Sequence, residues 1–146
     1  MSKTYIPAAL RQFVYERANG YCEYCLIPEV ATLAPHEIDH IISEKHGGLT
    51  EADNLALSCV LCNKYKGSDL SSVDPDTGEI VRLYHPRKDD WHRHFLIENA
   101  QFAPLTPIGR VTVRLLQLNR PTRIEERKLL IAAGILNLPP KPETND

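Results

Sequence analysis

The sequence lacks several things. It has no uninterrupted apolar run of about 18 residues, so no segment is expected to cross a membrane. Its opening residues, Met1-Ser2-Lys3-Thr4-Tyr5, lack the apolar stretch of a secretory signal. That predicts a cytoplasmic protein, and in such a compartment thiols stay reduced. Positive charge is not in excess either, since the formal net charge is -2 over 146 residues. A uniformly basic polyanion binder is therefore excluded. Methionine is scarce too, Met1 being the only one.

What is present is ordinary in amount and uneven in placement. A hydrophobic fraction of 42% allows a modest core in a chain of single-domain length. Charge is divided along the chain. Residues 1–81 carry six Lys or Arg against twelve Asp or Glu, whereas residues 82–128 carry ten against five. A basic second half suggests either contact with a polyanion or a solvated basic face on helices.

Periodicity divides the chain into short elements. Residues 7–19 read as a helix, opened by Pro7 and stopped at Gly20. Residues 37–43, rich in Ile, read as a strand, and residues 55–58 as a second one. A helix is expected to start around 62–66, a turn at 74–78 and a strand over 79–84. Thr106-Pro107 should cap a helix running to about 118, and Pro121 should open another ending near Gly134. The Pro-rich stretch 139–146 is expected to be disordered. The organisation expected is a core at 1–68, a hairpin and basic helical extension at 69–138, and a tail at 139–146.

All four cysteines fall into two C-x-x-C pairs, Cys22/Cys25 and Cys59/Cys62. Two residues between thiolates let both bind one ion from a tight turn, and two such turns complete the tetrahedral sulfur site that zinc prefers. Disulfides are the competing reading, which a reducing compartment opposes. A thioredoxin-type redox pair would need a βαβ context that the flanking pattern does not provide. An all-cysteine site with no open position is structural, so chemistry must come from other residues.

The segment His36-Glu37-Ile38-Asp39-His40 admits two incompatible readings. It spells H-E-x-x-H, and His46 stands where a longer zinc-protease signature has its third histidine. That motif works on a helix, where positions four apart share a face. Here Pro35 precedes it, and Ile38, Ile41 and Ile42 favour a strand. The signature also needs a downstream methionine, and the single methionine is Met1.

The other reading joins the segment to residues nearer the second cysteine pair. Glu37-Ile38-Asp39-His40-Ile41-Ile42, then His46-Gly47-Gly48, Asn54-Leu55 and Cys59-Val60-Leu61-Cys62-Asn63-Lys64-Tyr65-Lys66-Gly67 together resemble the HNH endonuclease pattern. It is similar to the branch with two C-x-x-C pairs found in bacterial restriction-type HNH nucleases. The resemblance covers roughly residues 20–68, and residues 69–138 resemble more weakly the tail of small stand-alone bacterial HNH proteins.

The resemblance implies an α+β fold with a ββα-metal (HNH) centre, a structural four-cysteine zinc site, an N-terminal helix and a helical C-terminal segment. It implies phosphodiester hydrolysis, most of all in DNA, with nucleic acid as partner and a monomer or homodimer as the working form. By the same resemblance His40 is the general base, a task suited to an imidazole. Asp39 and Asn63 are implied as ligands of one divalent ion, Asn63 replacing the last letter of the motif. An oxygen-only pair of that kind favours Mg²⁺ or Mn²⁺ over Zn²⁺. Asn54 would bridge loop backbone and orient His40. Because Asp39 and His40 are neighbours on a strand, a local bend is expected to bring both to the site.

Lys64 and Lys66 are expected at the phosphates of the cut strand, with Arg110, Arg114 and Arg120 steering the duplex. Trp91-His92-Arg93-His94-Phe95 could line the nucleic acid, or supply packing and exposed polar groups. The rival from another class is a non-catalytic, zinc-stapled nucleic-acid-binding module.

Overall fold

The structure is a computed structural model, and it describes residues 4–142. It mixes helices with three separate two-stranded antiparallel sheets. The part of the expected disordered tail at 143–146 lies outside the described residues.

Helix α1, Ala8–Arg17, follows Pro7, whose missing N–H would be unpaired at a helix start in any case. It ends where Asn19 and Gly20 turn left-handed. Strand β1, Glu37–His40, pairs with β2, Leu55–Ser58, so that Asp39 stands opposite Ala56 and His40 opposite Leu55. Helix α2, Val60–Lys66, starts one residue after β2, at Cys59. No helix among the described residues is long and apolar enough to cross a membrane.

The second half begins with a hairpin of β3, Ser71–Val73, and β4, Ile80–Arg82. The one-turn helix α3, Trp91–His94, runs directly into β5, Phe95–Glu98, which pairs with β6, Gln101–Pro104. Two longer helices close the chain. Helix α4, Pro107–Leu115, is capped by Thr106, whose hydroxyl accepts from Gly109 N, and α5 is Pro121–Ala132.

One apolar cluster joins both halves. The four cysteines, Tyr24, Ile27, Ile41 and Ala56 are packed with Trp91, Phe95, Phe102, Val111, Leu118 and Leu130. A smaller cluster of Ile6, Val14, Leu55 and Leu57 fixes α1 on β2. Trp91 and Phe95 are buried packing residues, whereas Arg93 between them is exposed.

Candidate active site and metal centre

The first C-x-x-C pair sits in a knuckle. Cys22 N donates to Ile27 O, Leu26 N donates to Cys22 O, and Leu26 takes a left-handed backbone to turn the chain. The second pair starts α2, where Cys59 Sγ accepts from Cys62 N at 3.4 Å in place of a hydroxyl cap. The four sulfurs are buried and lie within 4.8 Å of one another. Cys25 Sγ and Cys59 Sγ are 3.6 Å apart, far beyond a disulfide bond. Zinc–sulfur bonds of about 2.3 Å in a tetrahedron place sulfurs about 3.8 Å apart, so the donor set and its spacing fit zinc. Hydrogen bonds with the surrounding Cys22, Cys25 and Cys62 thiols hold Cys59 well below the ordinary thiol range, against the opposing effect of burial.

The hairpin presents the other candidates. Pairing is regular through His40, with no bulge between Asp39 and His40. The two neighbouring side chains go to different partners instead. Asp39 Oδ2 accepts from Tyr24 Oη at 2.7 Å and lies 3.1 Å from Lys66 Nζ. His40 Nε2 shares a hydrogen bond with Thr50 Oγ1 at 2.9 Å and lies 3.5 Å from Glu44 Oε1. Burial pushes the Asp39 carboxyl above its ordinary range, while Lys66 and Tyr24 pull it down.

Asn54 ties the connection between the strands. Its Oδ1 accepts from Ile42 N, and its Nδ2 donates to Ile42 O and Leu49 O, all three at 2.9 Å. Gly48 makes this possible. A Cβ there would lie 1.7 Å from Ile42 O and 2.8 Å from Asn54 Nδ2, so no other residue fits. Asn63, on α2, donates from Nδ2 to Glu37 Oε2 across the face that Glu37 and Asp39 share on β1.

Asp39, His40 and Asn63, with Glu37, line one cavity of about 680 Å³. Arg11 and Lys45, both exposed cations, stand at it too. A second cavity of about 550 Å³, among Arg17, Arg87 and Trp91, contains none of Asp39, His40, Asn54 or Asn63. Sequence reasoning does not single out Glu37, Tyr24 or Thr50. For Glu37 a signal exists, because a residue two before Asp39 must share its face of a strand.

The expected phosphate contacts divide. Lys64 and Arg114 are exposed. Lys66 is 2% exposed and its ammonium is spent on Asp39 and on His40 O, 3.2 Å away. Arg110 makes a two-pronged pair with the buried Asp74, at 2.9 and 2.8 Å, and also reaches Asp76. Arg120 donates to Leu116 O and Gln117 O at the end of α4 and lies over the Tyr65 ring. Arg120 thus pairs only through Nη1, leaving Nε and Nη2 without a hydrogen-bond partner, whereas Lys66 and Arg110 spend their charge on carboxylates inside the fold. The same holds for much of the basic half. Arg82 pairs with Asp89, Arg87 with Glu23, Arg123 with Glu126, and Arg127 is fully buried against Ala100 O and Leu118 O.

The strand geometry also disposes of the protease reading. Glu37–His40 is extended, and His36 and His40 turn to Ile27 O and Thr50 respectively, so no helix face presents them together. Residues 22–69 match the HNH endonuclease family model. No curated protein and no solved structure matches the chain. The HNH match covers about a third of the chain and takes in both cysteine pairs, β1, β2 and α2. An HNH domain points to nuclease-type activity and to nucleic acid as partner.

Proposed function

We propose that the protein is a metal-dependent endonuclease that hydrolyses phosphodiester bonds in double-stranded DNA. The observation that carries the reading is the single cavity lined by Asp39, His40 and Asn63 within the HNH match. In this reading β1, β2 and α2 form the ββα-metal unit of residues 1–68, residues 69–138 are an extension, and 139–146 a tail.

His40 is the general base. Its imidazole takes a proton from the attacking water, and Thr50 and Glu44 hold the ring in place. Asn54 keeps the following loop closed, so the ring is carried on a fixed support. Asp39 and Asn63 would hold one Mg²⁺ or Mn²⁺ ion, Asn63 through Oδ1, because its Nδ2 is engaged by Glu37. A bound divalent ion supplies charge neutralisation at the phosphate and the leaving oxygen. The four cysteines hold zinc, which fixes the start of α2 and therefore Asn63. Arg11, Lys45 and Lys64 contact the phosphates, being the exposed cations at or beside the cavity.

One such centre cuts one strand, so a monomer nicks, and a homodimer would make paired cuts. The test is plasmid nicking with added Mg²⁺ or Mn²⁺, wild type against His40→Ala, with EDTA as control. One observation favours the rival reading of a non-catalytic, zinc-stapled nucleic-acid-binding module. The Lys66 ammonium already balances Asp39, so a divalent ion would have to share or displace it.

A further inference from the structure

We propose that α5 is a working part of the zinc centre, because Arg123 neutralises the Cys59 thiolate and so couples the C-terminal helices to the start of α2. Arg123 is 64 residues from Cys59, yet its Nη2 lies 3.3 Å from Cys59 Sγ. It is the one side chain other than cysteine, among the described residues, that hydrogen-bonds a cysteine sulfur. Its other arm is fixed, since Nη1 donates to both carboxylate oxygens of Glu126 at 2.9 Å. The guanidinium is therefore held in one orientation, and it is 6% exposed.

Zinc held by four thiolates carries a net charge of about two negative units. Such a charge is costly in an apolar interior unless cations and N–H donors face it. Arg123 meets both needs at once. Arg127, one turn further along α5, is fully buried and spends its guanidinium on Ala100 O and Leu118 O rather than on a cysteine sulfur.

The consequence reaches the cavity. Cys59 caps α2, and α2 carries Asn63 and Lys66, the partners of Glu37 and Asp39. Loosening Cys59 loosens that face. Arg123 is thus a positioning residue that acts from outside the matched segment of residues 22–69. The inference depends on zinc in the cysteine site and not on nuclease activity, so either can fail alone.

The experiment uses the full-length zinc-loaded protein. Zinc content is measured by mass spectrometry under native conditions, and release to a chromogenic chelator is timed for wild type, Arg123→Gln and Arg123→Lys. Outer partners of a metal site are each worth about 10–100-fold in affinity. Arg123→Gln, which keeps the polarity and removes the charge, is expected to release zinc at least ~10-fold faster. Arg123→Lys keeps the charge and is expected to stay within ~3-fold of wild type. Far-UV circular dichroism reports the fold of each. Should Arg123→Gln fail to fold, Arg123→Lys still decides, because retained zinc at near wild-type rates supports charge compensation. Equal rates in all three proteins, equal loss in both variants, or wild-type protein without zinc overturns the proposal.

Discussion

Lys66 Nζ lies 3.1 Å from Asp39 Oδ2, and both side chains are at most 4% exposed. A buried pair of this kind adds little against an apolar replacement of both residues, but removing one partner strands the other. Lys66→Met should therefore cost about 3–5 kcal/mol of stability, read as a fall in Tm without divalent ions. If Asp39 can take a divalent cation, millimolar Mg²⁺ should raise the Tm of Lys66→Met more than that of wild type. An equal response of both proteins would remove Asp39 from the metal site.

Asp74 gives a pH dependence with a definite sign. The Arg110 guanidinium, with Asp76 N and Thr77 Oγ1, holds its carboxyl down at about 2 from an ordinary 3.8. A carboxyl whose folded pKa is depressed adds stability above its unfolded pKa and loses it as pH falls through the folded one. Wild type should lose Tm between about pH 4 and pH 2. Asp74→Asn should be less stable at neutral pH and should lose less over the same interval. Parallel pH curves for the two proteins would show that the Arg110 pair does not set this window.

The centre of the molecule is readable in the sequence, and the middle of the chain is obscure. The C-x-x-C pairs, the Ile-rich strand and the 55–58 strand are local patterns, and each has its expected place in the fold. The Thr106-Pro107 cap is equally plain. The β5–β6 hairpin escapes a sequence reading because its turn is Asn99-Ala100, both left-handed, where Gly is the usual second residue. The destination of the arginines is not readable at all. Arg110, Arg123 and Arg127 find partners that are set by tertiary packing, such as Asp74, Cys59 and Ala100 O, and no spacing rule announces them. Burial of Lys66 escapes for the same reason, since its partner lies 27 residues back on β1.

The relocated phosphate contacts can be measured. Each lost phosphate contact reduces the salt slope of binding by about 0.9. Binding of a labelled duplex to the His40→Ala protein should lose about two units of slope when Arg11 and Lys45 are both changed to Gln. Changing Arg110 to Gln should leave the slope alone and lower Tm, because its charge is used by Asp74. The reverse pattern would return the nucleic acid to the C-terminal helices.

The central claim is that His40 activates water for phosphodiester hydrolysis with a divalent ion beside it. Supercoiled plasmid incubated with zinc-loaded protein and Mg²⁺ or Mn²⁺ tests it most directly. The account predicts nicked circles with wild type, none with EDTA, and none with a folded, zinc-loaded His40→Ala. Cutting that persists in His40→Ala would contradict the general-base assignment, and a folded, zinc-loaded wild type that binds duplex without cutting it would favour the binding module.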